Sequence, residues 1–139
     1  MSKEVIIKKL EQLQILLKDL EPLLDKPRKE FEEDIVVVRA AERNFQLIVE
    51  IASDINVAIL IKETRKTPDT YKQSFSELVK IGIMPQETVA DLIVSAKLRN
   101  ILTHEYEFKE DYGKFYASAK MLLPAYREYT ANIKQYLNK

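Results

Sequence analysis

Apolar residues recur at steps of three and four along most of the chain. From about Ser2 to Leu20, Ile6, Leu10, Leu13, Leu17 and Leu20 form one stripe opposite Lys8, Lys9, Glu11 and Lys18, the period of an amphipathic helix. Pro22 and Pro27 then bracket Leu23-Leu24-Asp25-Lys26. Proline lacks an amide donor and restricts the residue before it, so the first helix is expected to end or kink here, before a turn with room for a short helical piece.

A second helix is predicted from around Glu30 to Lys62. Val38, Ala41, Phe45, Ile48, Ala52, Ile55 and Ile59 make one face, and Leu47, Ile51, Ala58 and Ile61 add another. An element apolar on two sides needs partners on both, which makes it the central helix. A transmembrane reading fails, because Glu50 and Asp54 interrupt the apolar region together with Asn44, Gln46 and Asn56.

Lys62 to Asp69 reads as a polar connection. Asp69 or Thr70 can cap a short helix through Ser74 to Ile81, closed by Gly82. Met84-Pro85-Gln86-Glu87 starts the next helix, with proline suited to the first turn and Glu87 near the positive end of the dipole. Its apolar residues divide into Val89, Leu92, Ile93 and Ala96 on one face and Val94, Leu98, Ile101 and Leu102 on the other. A last helical region begins at Asp111 and keeps its period through Phe115, Ala119, Leu122, Tyr126, Tyr129, Ile133 and Tyr136 or Leu137, with a kink expected at Pro124. Four long helices and one shorter one predict an all-α bundle.

Composition narrows this picture. A chain of 139 residues fits one domain, residues 1–139, and two glycines with no tryptophan favour helices over a turn-rich β fold. Lys plus Arg and Asp plus Glu both number 22, so no global field draws the chain to nucleic acid or to an anionic membrane, and any such contact is local. Cysteine is absent, which excludes disulfides and thiolate metal sites. The N-terminal sequence has no uninterrupted apolar signal core, so a cytoplasmic location is expected.

The chemistry concentrates in Arg99-Asn100-Ile101-Leu102-Thr103-His104-Glu105-Tyr106, which holds the one histidine. Arginine presents a permanently charged planar fork to phosphate oxygens, and histidine exchanges protons near neutrality. On an ideal helix Arg99 and Tyr106 lie about 20° apart and His104 about 140° from Arg99, so the helix is expected to end or loosen near Leu102 to Tyr106 to bring the imidazole round. No carboxylate cluster or phosphate-cradling glycine loop accompanies the motif, so neither a metal nor an organic cofactor is expected. The chemistry implied is metal-independent attack of an RNA 2′-hydroxyl on its neighbouring phosphate, with Arg99 stabilising the developing charge. That reaction needs an acid and a base. With one histidine per chain, a two-fold homodimer joined through the motif helix supplies the second, sealed by Val94, Leu98 and Ile101.

Plainer readings stand beside these. His104 taken alone is an ordinary helix-end histidine, Arg99 can pair with Glu105 or another carboxylate, Asn100 can hold the helix end, and Tyr106 can be interface packing. Tyr112, Tyr116, Tyr126, Tyr129 and Tyr136 read as a packed stripe rather than base-stacking groups. Lys62, Arg65 and Lys66 read as a solvated loop.

Arg99-Asn100-x3-His104-x-Tyr106, together with Val38-Arg39-Ala40-Ala41-Glu42-Arg43-Asn44-Phe45-Gln46-Leu47 and Ser74-Phe75-Ser76-Glu77-Leu78, resembles the HEPN superfamily, specifically the HepT-like toxins. The resemblance spans nearly the whole chain. It implies a dimeric, metal-independent endoribonuclease of a prokaryotic toxin-antitoxin pair, with Arg99 and His104 as catalytic residues and Asn100 as the polar residue that follows the arginine. It also implies that an MntA-like nucleotidyltransferase antitoxin silences the toxin by transferring AMP from ATP to Tyr106. A phosphate-bearing group there would crowd the arginine and occupy its charge. The alternative is a catalytically silent helical dimer that binds the nucleotidyltransferase or a nucleotide.

Overall fold

The computed structural model describes residues 3–104 and 111–139, with the backbone alone at His104. Within them lie helices α1 (Lys3–Asp25), α2 (Arg28–Glu33), α3 (Ile35–Thr64), α4 (Tyr71–Lys80), α5 (Gln86–His104) and α6 (Tyr112–Leu137). No strand occurs among the described residues.

Four long helices form the bundle. α1 packs on α3 and α6, and α5 packs on the same two, which sets α1 opposite α5 and α3 opposite α6. Side-chain pairings fix the directions. Arg39 meets Tyr112, Tyr129 meets Asn56 and Tyr136 meets Glu63, so α3 and α6 run parallel. Thr88 meets Glu128 and Ser95 meets Tyr126, so α5 runs antiparallel to α6 and therefore to α3. Neighbours round the ring are antiparallel, the geometry of an up-and-down bundle.

α3 is the central helix. It is long and apolar enough to cross a membrane by length and composition, yet Val38, Ala41, Phe45, Ile48, Ala52, Ile55 and Ile59 are all buried beneath α1, α4 and α5. Its polar residue Asn56 is fully buried and satisfied: the Tyr129 hydroxyl donates to Asn56 Oδ1 at 2.6 Å, and Asn56 Nδ2 donates to Ser74 Oγ at 3.1 Å. Burial pushes the Tyr129 phenol well above its ordinary range, which keeps it a neutral donor.

α1 ends at Asp25, within the stretch that Pro22 and Pro27 bracket, and takes Pro22 into its last turn. Leu20 and Leu24, both fully buried, lie on either side of the proline. Burying a leucine is worth roughly 1.5–3 kcal/mol, comparable with the proline's cost of about 3 kcal/mol. The second predicted helix is two helices, broken at Asp34. Asp34 serves both ends: its backbone amide donates to Phe31 O, closing α2, and its carboxylate accepts from the amides of Val36 and Val37, opening α3. α2 is fixed by the buried Phe31, which packs against Phe115 and Tyr116 of α6.

The remaining boundaries match. Thr70 caps α4 by accepting from the Gln73 amide at 3.0 Å. Gly82, at φ 76°, supplies the left-handed residue that ends α4, with Gly82 N donating to Val79 O and Ile83 N to Leu78 O. Asp111 caps α6 at Lys114 N, and Pro124 sits inside that one continuous helix.

Candidate active site

α5 carries the motif. Its inner face, Val89, Leu92 and Ala96, is buried as the pattern required, with Ser95 bonded to Tyr126 of α6. The helix continues unbroken through Leu102 and Thr103 to His104. The end or loosening expected near Leu102 to Tyr106 has not begun at Thr103. Thr103 Oγ1 donates back to Arg99 O at 2.9 Å, satisfying the β-branched residue inside the helix. Helical register is thus kept between Arg99 and His104, about 140° apart. His104 falls instead about 20° from Lys97 and about 60° from Ile101 in register, two exposed positions. Tyr106 and Glu105 lie outside the described residues.

Arg99 faces inward, toward the groove between α3 and α4. Its side chain is only 15% exposed, and its Nη2 lies 3.6 Å from Glu50 Oε1 of α3. The guanidinium carbon sits over the Tyr71 ring of α4, 4.7 Å from the centroid, within cation–π range. Nη1 donates to Asn100 Oδ1 at 3.2 Å. Nε is buried and has no hydrogen-bond partner among the described residues. The sequence reading allowed a carboxylate partner for Arg99; within the described residues it is Glu50.

Arg99 and Asn100 line a cleft of about 400 Å³ with Ser53, Val57, Pro68, Asp69, Thr70 and Tyr71. The buried network of the core places one wall: Ser74 Oγ, which accepts from Asn56, donates to the Tyr71 carbonyl at 2.8 Å. The position of the ring under Arg99 is therefore tied to Tyr129 and Asn56 in the bundle interior. Glu50 and Tyr71 were not singled out as site residues from the sequence. No local signal marks them, since each meets Arg99 only through the packing of α3, α4 and α5.

The outer face of α5 is apolar as well. Val94 is 42% exposed and Ile101 48%, and Leu98 between them is half-buried. Among the described residues no three His, Asp or Glu side chains are grouped to hold a metal ion. Lys62, Arg65 and Lys66 are exposed, with Arg65 in the left-handed C-cap of α3 at φ 60°.

The family model described as Ribonuclease HepT-like matches residues 6–133. The tRNA nuclease HepT of Aphanizomenon flos-aquae (strain 2012/KM1/D3) is 34% identical over 114 residues, covering 82% of this chain and 74% of that protein. A tri-AMPylated HEPN toxin of Shewanella oneidensis, solved in complex with its MNT antitoxin, superposes with a TM-score of 0.85 at 21% identity, covering 97% of this chain and 99% of the other. YutE of Bacillus subtilis, a cytosolic protein of unknown function, superposes with a TM-score of 0.80 at 20% identity, covering 99% of this chain and 91% of the other. The two superpositions establish a shared helical fold.

Proposed function

The chain belongs to the HepT-like ribonuclease family, and from that premise we propose that it is a metal-independent endoribonuclease toxin of a prokaryotic toxin-antitoxin pair, acting in the cytoplasm through Arg99 and His104. The observation that carries the reading is the state of Arg99: a permanently charged fork, 15% exposed, lining a cleft of about 400 Å³ together with Asn100. The curated relative's name points to tRNA as the substrate class.

In the proposed reaction the RNA 2′-oxygen attacks the adjacent phosphorus. The P–O2′ bond forms, the P–O5′ bond breaks, and the products are a 2′,3′-cyclic phosphate and a 5′-hydroxyl. A histidine takes the 2′-hydroxyl proton and a second one protonates the departing O5′, while Arg99 stabilises the extra negative charge on the phosphoryl oxygens. Asn100, bonded to the guanidinium, keeps its plane. The second histidine comes from a second copy of the chain. The register of His104 on the outer side of α5, near exposed Ile101, supports a two-fold contact through that face.

The partner is an MntA-like nucleotidyltransferase antitoxin. In the proposed silencing step the Tyr106 phenol attacks the α-phosphorus of ATP, pyrophosphate leaves, and the AMP so attached blocks the cleft.

Incubation of the purified chain with tRNA in EDTA tests this reading, with the cleaved ends identified by mass spectrometry. A 2′,3′-cyclic phosphate with a 5′-hydroxyl is expected. Intact tRNA together with tight binding of the nucleotidyltransferase would instead identify a silent binding module.

A further inference from the structure

Arg99 is a cation 85% removed from water, as its 15% exposure implies, and a buried charge requires a countercharge nearby. Within the described residues Glu50 is the carboxylate at ion-pair distance from it. We propose that Glu50 is a positioning residue for Arg99, holding the guanidinium over the Tyr71 ring at the edge of the cleft.

Three features of the geometry carry this. The Glu50–Arg99 approach is 3.6 Å, an ion-pair distance, so Glu50 attracts the cation. The one side-chain hydrogen bond that Arg99 makes within the described residues comes from Nη1, to Asn100, while Nε is buried without an acceptor. The Tyr71 ring lies beneath the guanidinium carbon, and Glu50 holds the cation over it from the α3 side. Glu50 has no other ion pair or side-chain hydrogen bond among the described residues, and its side chain is 34% exposed. The Glu50 end of the pair is partly screened by solvent, which leaves the placement of Arg99 as its role.

The inference rests on Arg99 acting on phosphate, and its test is built so that the two can fail separately. The full-length chain and the Glu50→Gln and Glu50→Asp variants are compared by side-chain NMR of the Arg99 Nε–Hε pair, assigned by its loss in Arg99→Lys, and by steady-state cleavage of tRNA. In the wild type the Arg99 Hε exchanges slowly with solvent. In Glu50→Gln the signal shifts and its exchange accelerates about tenfold or more, kcat falls about tenfold and KM changes less than about twofold. Glu50→Asp recovers a substantial part of both, and unfolding midpoints stay unchanged. An Arg99 Hε signal that neither moves nor exchanges faster in Glu50→Gln overturns the proposal, as does an undiminished kcat. If the wild type does not cleave RNA, the nuclease reading fails and the NMR comparison still decides the role of Glu50. If Glu50→Gln does not fold, the proposal is overturned, because Glu50 is then structural.

Discussion

Arg99 of α5 lies with its guanidinium carbon 4.7 Å from the centroid of Tyr71, the first residue of α4. The stacking joins the motif helix to the short helix outside the bundle. Cation–π contacts contribute about 0.5–2 kcal/mol, so Tyr71→Leu is expected to lower kcat/KM for RNA cleavage by between about two- and thirtyfold. Tyr71→Phe keeps the ring and is expected to retain most of the activity. Initial rates on a labelled tRNA check both.

The support of that ring reaches into the core. Tyr129 crosses from α6 to donate to Ala52 O and Asn56 Oδ1 of α3, and Asn56 in turn holds Ser74. Tyr129→Phe leaves two buried acceptors without this donor, at a cost of about 1–3 kcal/mol. The urea unfolding midpoint falls accordingly with the slope unchanged.

Gly82 tests the local chemistry of the α4–α5 turn. Its φ of 76° is left-handed, and a Cβ added there would meet no heavy atom within 4 Å. Gly82→Ala therefore costs only the backbone conformation, about 1 kcal/mol, read from the same unfolding curves.

The outer face of α5 is the predicted dimer contact. Ile101→Asp, at a position 48% exposed in one copy of the chain, places a charge in that contact and is expected to leave the fold intact by circular dichroism. Light scattering on the eluting peak should change from dimer to monomer mass, and RNA cleavage should fall about a hundredfold as the second histidine is lost.

Much of the bundle was legible because its signals are local. The stripes of Ile6 to Leu20, Val38 to Ile59 and Phe115 to Leu137 report burial directly, and Thr70, Gly82 and Asp111 mark helix ends by the hydrogen bonds their own groups make. The break at Asp34 was also local, an aspartate before four β-branched residues, but the longer apolar period masked it. Pro22 and Pro27 bracketed the end of α1 correctly, and that the helix runs through Pro22 as far as Asp25 follows from burial of Leu20 and Leu24, a tertiary effect that outweighs local propensity. Arg99 and Asn100 could be singled out from the sequence, and the structure brings them to one cleft. Glu50 and Tyr71 could not, since what makes them part of the site is the packing of α3 and α4 on α5.

The central claim is that Arg99 and His104 act together on a phosphodiester, and the most direct measurement is the single-turnover rate of tRNA cleavage by the wild-type chain and by Arg99→Ala and His104→Ala, each with a native circular dichroism spectrum. The account predicts cleavage in EDTA by the wild type and a loss of about a hundredfold or more in each variant. A folded His104→Ala or Arg99→Ala chain that cleaves at the wild-type rate would contradict it.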